Sequence, residues 1–361
     1  MTGDRLPVAI LGAGGYIGQH FARLLDDHPW FDPVVLAAGD RTAGRTLGDV
    51  WQLSEAPPPG LERRTLVRAG AAAVARARVA LAFSALPSGT AGPIETELTR
   101  RGVSVFTNAA DHRLEPSVPL LVPEVNGDHL ALARRRPGGR GLLVANPNCS
   151  AAGLALALAP LVPSLAPRSI HVATYQSLSG AGYPGVPSLA VADNVVPFIR
   201  EEEEKIERET TRMLGQLRAG RVRPLATRLL AHCARVATRE GHLEAVTVEA
   251  GRAGSARDAV RRWTAFDPLR GLGLPTAPSP PIVVRPEADR PQPIRDRWAG
   301  EPARARGMAA VVGRVRWDAP FLRFYVLSNN AVRGAAGGSV LNAELALARG
   351  LLPRARGAAA R

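Results

Sequence analysis

The fold of this chain is decided by residues 7–18, which have the sequence PVAILGAGGYIG. The apolar start is typical of a central parallel strand, and an amphipathic helical segment follows at 19–25. Glycines between a strand and a helix allow a tight turn and let the backbone approach a pyrophosphate at the helix N-terminus. The spacing of Gly12, Gly15 and Gly18 departs from the usual G-x-G-x-x-G, so a purely structural turn is the alternative to a cofactor site.

The same order of strand and helix recurs through the first part of the chain. Apolar runs at 34–38, 79–83 and 103–106 are predicted to be strands, with a helix between the last two. Repeated β-α-β units indicate a doubly wound parallel sheet, which binds ligands beyond the carboxyl ends of its strands. Ser84 and Arg113 follow two of these strands, and Arg113 is either an anion contact or an ordinary surface arginine.

The end of the second strand is where dinucleotide-binding domains distinguish between their cofactors. Here Asp40 is suited to a ribose 2′-hydroxyl, whereas Arg41, Thr42 and Arg45 are suited to a 2′-phosphate. The sequence therefore favours NADP over NAD, and a solvated turn is the structural alternative.

A second informative stretch is 146–150, with the sequence NPNCS, which directly precedes the apolar run 151–158. That run is typical of a buried helix, and Asn148 and Ser150 are residue types that cap a helix N-terminus. A thiol at this position meets unpaired N–H groups and the positive end of the helix dipole, which favour the thiolate. Cys149 is therefore a candidate nucleophile, and the alternative is a small apolar residue packed in a core.

Past this helix the pattern changes to longer strands and loops. A strand is predicted at 170–176, with Gln176 at its end, and the glycine- and proline-rich loop 177–188 is long enough to cover a pocket. Two antiparallel strands are predicted at 232–236 and 242–249, on either side of a turn. The other predicted features are a mostly irregular segment, a hairpin, a last helix and a disordered tail, at 275–306, 308–317 with 321–327, 339–349 and after Pro353.

Several charged or thiol side chains in this half have both a functional and a structural interpretation. The segment 201–217 is predicted to be a charged helix in which Glu202 and Lys205 share one face, and an exposed ion pair is the simpler explanation. Lys205 is nevertheless the only lysine in an arginine-rich chain, and lysine binds phosphate as a point charge. His242 is either structural or, near a cysteine, a general acid–base. Cys233 is expected to be buried and inert.

Composition excludes several classes of protein. The 361 residues are enough for two domains, and the apolar and charged fractions of 46% and 22% are those of a globular protein. We find no apolar stretch of membrane-spanning length and no signal-peptide pattern, and two cysteines suit a reducing, cytoplasmic compartment. The net charge of +14 comes from scattered arginines, which does not favour a nucleic-acid partner. No metal site is expected.

Taken together, these motifs resemble those of the aspartate-semialdehyde dehydrogenase family, in its archaeal and fungal-like branch. The resemblance covers nearly the whole chain, and its specific part is the order and spacing of cysteine, glutamine, glutamate–lysine and arginine–histidine. The stretches that carry it are 12–18, 146–150, 179–188 (SGAGYPGVPS), 202–205 (EEEK), Arg235 with His242, 290–293 (RPQP) and 333–338 (RGAAGG).

The resemblance implies an α/β fold with an N-terminal Rossmann-like doubly wound parallel sheet. A second, α+β catalytic and dimerisation domain of mixed sheet and helices would follow. We predict the dinucleotide-binding domain at 1–149, completed by a C-terminal helix at 335–361, and the catalytic domain at 150–334. A homodimer or homotetramer is expected.

The resemblance also implies a role for each site residue. Cys149 would be the acyl-accepting nucleophile, Gln176 an orienting residue and His242 the acid–base group. The implied substrate and phosphate contacts are Arg235 for the α-carboxylate, Glu202 for the α-ammonium, Lys205 and Arg113 for phosphate, and Asn148. The implied NADP contacts are Gly12, Gly14, Gly15, Tyr16, Ile17, Gly18, Arg41, Thr42, Ser84, Ser179, Gly182 and Asn330.

The implied activity is the NADP-dependent interconversion of L-aspartyl 4-phosphate and L-aspartate 4-semialdehyde, with inorganic phosphate, through a cysteine thioester. One alternative is reduction of another acyl phosphate, or of a CoA thioester such as malonyl-CoA, in specialised metabolism. A different class of alternative is a non-catalytic protein that binds a cofactor or nucleic acid, against which the complete set of site residues argues.

Overall fold

The computed structural model describes residues 5–135 and 138–353. Within these residues, packing divides the chain into two units, with boundaries after residues 121, 127, 146 and 335. The first unit contains both ends of the described chain and 128–146, and the second contains 122–127 and 147–335. The sequence predicted boundaries after 149 and 334, and it did not assign 122–127 to the second unit.

The first unit is built on the strands β1 (Leu6–Leu11), β2 (Phe31–Ala38), β3 (Val67–Arg68), β4 (Leu81–Ser84), β5 (Ser104–Thr107) and β6 (Leu143–Ala145). They form a parallel sheet in the order β3-β2-β1-β4-β5-β6. β4, β5 and β6 are buried along their whole length, which explains why their sequences are apolar without alternation. The order reverses between β1 and β4, and the glycine turn follows β1 at this switch point.

The helices of the first unit include one from the far end of the chain. They span Tyr16–Leu25, Ala71–Arg76, Ala91–Arg100 and Gly337–Ala348, with 3₁₀ turns at Gly48–Val50 and, across the unit boundary, Gly127–Arg135. A fully buried pair ties the C-terminal helix to this unit, because His28 Nε2 lies 2.9 Å from Glu344 Oε1. Nδ1 of His28 accepts the N–H groups of Trp30 and Phe31, so Nε2 carries the hydrogen that the carboxylate accepts.

The strands of the second unit are β7 (Ser169–Gln176), β8 (Gln216–Arg218), β9 (Arg221–Arg223), β10 (Arg228–Arg235), β11 (His242–Glu249), β12 (Ile282–Arg285), β13 (Ala310–Asp318) and β14 (Phe321–Ser328). A mixed sheet has the order β10-β7-β11-β14-β13-β12, and β8 and β9 form a separate hairpin. β10 and β11 run antiparallel, as predicted, but β7 lies between them. The predicted pairing of β13 with β14 is confirmed, and so is the α/β fold class.

The helices of the second unit span Pro123–Asn126, Cys149–Leu158, Val162–Leu165, Ser188–Val191, Glu202–Met213, Ala256–Ala265 and Pro293–Asp296, with 3₁₀ turns at Leu178–Ala181 and Ala303–Ala305 and a π-helical turn at Val332–Ala336. We call Cys149–Leu158 the cysteine helix. Each of its residues after Cys149 is buried, as expected of a helix that is apolar on all sides. Its leucines join Ile206, Trp263 and Phe324 in the core, which fixes the helix in place.

Some predicted boundaries differ from the structure. The helix predicted at 201–217 ends at Met213, because the chain then passes Arg223 so closely that a Cβ on Gly215 would lie 2.3 Å from its carbonyl oxygen. The segment 275–306 is more ordered than predicted, since it contains β12 and a short helix. The tail predicted after Pro353 lies outside the described residues. In the described parts of the chain, no helix is long and apolar enough to cross a membrane.

Candidate active site

Three of the predicted site residues lie side by side at one end of the mixed sheet. Arg235 ends β10 and pairs with Gln176, the last residue of β7. On the other side of β7, the antiparallel register of β11 places His242 next to Gln176. All three side chains are on the buried faces of their strands. Strand register therefore brings a guanidinium, an amide and an imidazole together.

Cys149 is the first residue of the cysteine helix, and Asn148 is its N-cap. Asn148 Oδ1 accepts hydrogen bonds from the N–H groups of Ser150 at 2.9 Å and Ala151 at 3.1 Å. This cap satisfies two N–H groups of the first turn and fixes the thiol at the positive end of the helix dipole. Cys149 is only partly buried, so a substrate can reach the sulfur.

His242 faces the thiol, with its Nε2 at 3.3 Å from Cys149 Sγ. Nδ1 accepts the backbone N–H of Ser177 at 3.1 Å, and in that state the ring hydrogen is on Nε2 and points to the sulfur. Burial, with a smaller contribution from Arg235, lowers the pKa of His242 to about 3. The resting imidazole is therefore neutral at physiological pH and meets the sulfur as a hydrogen-bond donor.

Arg235 supplies a positive charge beside this pair. Its Nη1 donates to the carbonyl oxygen of Ser177 at 2.8 Å, and the residue is buried. Burial lowers the pKa of Arg235, and the neighbouring Cys149 and Glu202 oppose that change. Because a guanidinium stays protonated in proteins, Arg235 is a fixed cation whose planar shape fits a carboxylate.

Glu202, Gln176 and Asn148 form one hydrogen-bonded group. Glu202 Oε1 accepts from Asn148 Nδ2 and from Gln176 Nε2, both at 2.9 Å. All three residues are buried, so the carboxylate is held in one orientation by two amides. A buried carboxylate fixed in this way is preorganised to bind a cationic group.

The ion pair of Lys205 is not the one that the sequence suggested, in which Glu202 was the partner. Its Nζ lies 3.1 Å from Glu201 Oε2, and its side chain is partly exposed. Glu202, one residue on, points instead into the buried amide group. Glu202 therefore faces the interior, whereas Glu201 faces the lysine.

Three residues predicted to contact the cofactor also belong to the second unit. Asn330 Nδ2 donates to Ser179 Oγ at 2.9 Å, and Asn330 Oδ1 accepts from the N–H of Gly241 at 2.9 Å. Gly182 ends the 3₁₀ turn with a φ of 69°, in the left-handed region that favours glycine. The contacts of Asn330 link the loop after β7 to the start of β11.

The glycine turn borders a cavity of about 530 Å³ in the first unit. The predicted cofactor residues that line it are Gly12, Gly14, Gly15, Arg41 and Thr42. An added Cβ would lie 2.6 Å from Ala85 O at Gly12 and 2.7 Å from Thr42 Oγ1 at Gly14. Only glycine keeps this space open for a pyrophosphate, so the residues present fit a dinucleotide.

The other predicted cofactor residues of this unit do not line the cavity. Tyr16 and Ile17 begin the first helix, and Ser84 is fully buried at the end of β4. A Cβ on Gly18 would lie 2.0 Å from Gly12 O, so this glycine lets the helix pack closely against the turn.

Two further charged groups of the first unit have partners that the sequence did not predict. Arg68 Nε and Nη2 bind the two carboxylate oxygens of Asp40 at 2.8 and 3.0 Å, at the edge of the cavity. Arg113 is mostly buried, and its Nη2 donates to the carbonyl oxygen of Asn108 at 2.7 Å. Sequence separation hides the first contact, since β2 and β3 meet only in the folded sheet. The second lies within a single loop and depends on the path of that loop.

Two interactions that position the cysteine were also missed. A Cβ on Gly334 would lie 2.7 Å from Cys149 Cβ, so the glycine lets this turn pack directly on the nucleophile. The neighbouring Arg333 makes a buried bidentate pair with Glu124, with both bonds at 2.8 Å. The RGAAGG motif hinted at the glycine, but nothing in the sequence pointed to Glu124.

The second cysteine has no place in this site. Cys233 is buried, as predicted, and burial raises the pKa of its thiol to about 12. A thiol that stays protonated is a poor nucleophile. Among residues 5–135 and 138–353, no group of three His, Cys, Asp or Glu side chains is arranged to hold a metal ion.

A partly exposed cysteine at a helix N-terminus, in contact with a histidine, in a chain that also has a dinucleotide-binding sheet, is the arrangement expected of a dehydrogenase with a nicotinamide cofactor. Comparison with known families identifies the family of dehydrogenases to which the chain belongs. The models for the NAD binding domain and the dimerisation domain of semialdehyde dehydrogenase match residues 7–133 and 158–333. The chain belongs to the aspartate-semialdehyde dehydrogenase family.

Individual relatives agree with this assignment. The chain is 43% identical to an aspartate-semialdehyde dehydrogenase of Archaeoglobus fulgidus, over 94% of this chain and 98% of the relative. It is 36% identical to a malonyl CoA reductase (NADP) of Metallosphaera sedula, over 97% and 99%. The crystal structure of an aspartate semialdehyde dehydrogenase with NADP from Candida albicans matches with a TM-score of 0.85 and 32% identity, over 96% and 99%.

Proposed function

We propose that this protein interconverts L-aspartyl 4-phosphate and L-aspartate 4-semialdehyde, with NADP and inorganic phosphate, in the cytoplasm. The observation that carries the proposal is the 3.3 Å contact between Cys149 Sγ and His242 Nε2, with the Arg235 cation and the buried Glu202 in the same unit. Relatives at 43% and 44% identity, named aspartate-semialdehyde dehydrogenase, support this substrate. Both cysteines are free thiols, which suits a reducing compartment.

In the proposed reaction the chain's own chemistry takes place at Cys149. The thiolate attacks the acyl carbon of the acyl phosphate, a C–S bond forms and phosphate leaves. NADPH, when bound, would supply the hydride that reduces the thioester carbon. The positive end of the dipole of the cysteine helix stabilises the oxyanion, and His242 Nε2 is placed to exchange its proton. Cleavage of the C–S bond then returns the thiolate.

The charges of the second unit match those of an aspartyl substrate. Arg235 is suited to the α-carboxylate, and the carboxylate of Glu202 to the α-ammonium. For phosphate we propose Lys205, which would exchange its partner Glu201 for the anion. In the first unit, Arg113 is a separate candidate for a phosphate contact. Binding of charge to charge in this way orients the acyl group for attack by the sulfur.

The preference for NADP is supported by the edge of the first-unit cavity. Arg41 and Thr42 line it and are suited to a 2′-phosphate. Asp40, which would repel that phosphate, is already bound by Arg68. The structure with NADP from Candida albicans is a relative over nearly its whole length. We therefore propose NADP rather than NAD.

One assay tests the reaction and the cofactor together. We expect L-aspartate 4-semialdehyde to drive the reduction of NADP, followed by absorbance, only when inorganic phosphate is present. With NAD in place of NADP, kcat/KM should be at least about tenfold lower, the effect of about 1.4 kcal/mol from phosphate contacts. A rate that does not depend on phosphate would contradict the proposal.

A second candidate is reduction of a CoA thioester or of another acyl phosphate, favoured by the similarity to a malonyl CoA reductase. A CoA thioester such as malonyl-CoA carries no α-amine for Glu202 to bind. The same assay separates the two, with CoA in place of phosphate and malonate semialdehyde in place of the amino-acid aldehyde. CoA-dependent activity alone would select this candidate.

We also propose that the protein is a homodimer or homotetramer, joined through the second unit. The match to a dimerisation domain supports this association. Light scattering is expected to give two or four times the chain mass of 38.1 kDa, and a monomer at micromolar concentration would contradict it.

A further inference from the structure

Ser177 contacts His242 with both its backbone and its side chain. Its N–H and its Oγ each lie 3.1 Å from Nδ1 of the ring. Its Oγ also lies 3.1 Å from Asn330 Oδ1, and neither the serine nor the imidazole is exposed to solvent. Nothing in the sequence singled out this serine.

The direction of these hydrogen bonds follows from Asn330. The N–H of Gly241 donates to Asn330 Oδ1 at 2.9 Å, so this atom is the amide oxygen and can only accept. The hydroxyl of Ser177 therefore donates its hydrogen to Asn330. Its lone pairs are then turned to Nδ1 of His242, at 3.1 Å.

Nδ1 thus meets a donor and an acceptor on the same residue. While the N–H of Ser177 donates to Nδ1, the ring hydrogen is on Nε2, and that nitrogen has no lone pair with which to take a proton. When Nδ1 carries the hydrogen, Ser177 Oγ accepts it. Nε2 is then able to take a proton from a reacting group, and the ring becomes a cation with both nitrogens bonded.

We infer that the Ser177 hydroxyl is a positioning residue that enables His242 to exchange protons at Nε2. It does so by accepting the hydrogen that the ring must then hold on Nδ1. The inference rests on the proposed function in one respect, which is the identity of the group that exchanges its proton with Nε2. In the oxidative direction, the thiohemiacetal hydroxyl gives its proton to Nε2 while NADP, when bound, would accept the hydride from its carbon. In the reductive direction Nε2 returns the proton to the oxygen.

The charged groups around His242 do not offer another acceptor for a hydrogen on Nδ1. Cys149 faces Nε2 from the cysteine helix, and Arg235 acts on the ring from β10. The nearby carboxyl groups are Glu202, paired with two amides, Glu240, paired with Arg297, and Glu244, whose pKa burial raises. Within the described chain, the hydroxyl of Ser177 is therefore the acceptor available to a hydrogen on Nδ1.

The test is Ser177→Ala, which removes the hydroxyl but keeps the backbone N–H. Without that acceptor, a hydrogen on Nδ1 faces only the backbone N–H of Ser177, so ring states that carry a hydrogen on Nδ1 become less favourable. In the oxidative direction, kcat should fall about 10- to 100-fold, part of the 10²–10⁴ that general acid–base catalysis contributes. Because the protonated ring loses an acceptor, the pKa of His242 falls, and the acid limb of the pH profile moves to lower pH.

Two further variants separate this role from a structural one. Ser177→Thr keeps the hydroxyl and should restore both kcat and the acid limb. Ser179→Ala removes a neighbouring hydroxyl that contacts Asn330 and Ser177 but not the ring. It should change the KM for the cofactor and leave the acid limb in place.

A readout without substrate keeps the inference independent of the proposed function. The ¹⁵N shifts of histidine-labelled protein follow protonation of the ring as the pH is lowered, and His242→Gln assigns the signals among the seven histidines. In Ser177→Ala the His242 ring is expected to become protonated only at lower pH than in the wild type, and wild-type kcat and acid limb, or protonation at the wild-type pH, would overturn the inference. If the wild-type protein does not oxidise the aldehyde, the proposed function fails, and the ¹⁵N comparison still decides the role of Ser177.

Discussion

Replacement of Cys149 by serine is expected to lower kcat by about 10⁴-fold or more, the range seen when a covalent nucleophile is removed. Serine can act here only if a base takes its hydroxyl proton. In the resting protein, the imidazole that faces it has its hydrogen on Nε2, so that nitrogen has no lone pair with which to take the proton. A thiol at a helix N-terminus ionises much more readily than a hydroxyl.

The measurement is steady-state turnover with aldehyde, phosphate and NADP, supported by mass spectrometry of protein quenched with substrate. An acyl adduct should appear on Cys149 and be absent in the variant. The chain offers a matched control in Cys233→Ser, because this buried thiol lies outside the site and is held protonated. Turnover of Cys149→Ser within tenfold of wild type would rule out thioester chemistry.

Replacement of Gly334 by alanine is the second change with a large expected effect. The added Cβ would lie 2.7 Å from Cys149 Cβ and 2.9 Å from its carbonyl oxygen. Neither atom belongs to a flexible side chain that can move aside, and the buried Arg333–Glu124 pair holds the turn in place. The first turn of the cysteine helix must therefore shift, which displaces the sulfur from His242.

We expect kcat to fall about 10²-fold, as for a misplacement of about 1 Å, and the free energy of unfolding to fall by about 1–3 kcal/mol. Stopped assays below the unfolding transition separate the two effects. The matched control is Gly70→Ala, where an added Cβ meets nothing within 4 Å. Equal activity in both variants would show that this close approach does not set the position of the sulfur.

The elements that the sequence predicted well are those whose local pattern and burial agree. The apolar run before the glycine turn became β1, and the alanine- and leucine-rich run after Cys149 became the cysteine helix with Asn148 as its cap. In both cases the residue types that favour the element locally also suit its buried position. The predicted helix at 201–217 was too long because a close approach to β9 has no local signature.

The site residues also differ in what the sequence could predict: their identity was predictable, but their contacts were not. Residue type and position made Cys149 and His242 candidates, and the family resemblance implied site roles for Arg235, Gln176 and Glu202. Their mutual geometry depends on strand order, because β7 lies between β10 and β11 and places its last residue between a guanidinium and an imidazole. Antiparallel direction alone did not reveal this insertion. The partner of Lys205 was likewise decided by which acidic neighbour turned inward.

Periodicity, glycine spacing and residue type were enough to predict the fold class and the family, because these are local properties. The contacts of Ser177 with the imidazole, of Glu124 with Arg333 and of Arg68 with Asp40 appeared only in the folded chain. These contacts depend on which distant segments become neighbours. That choice is made by packing and strand register over the whole domain, so no local pattern records it.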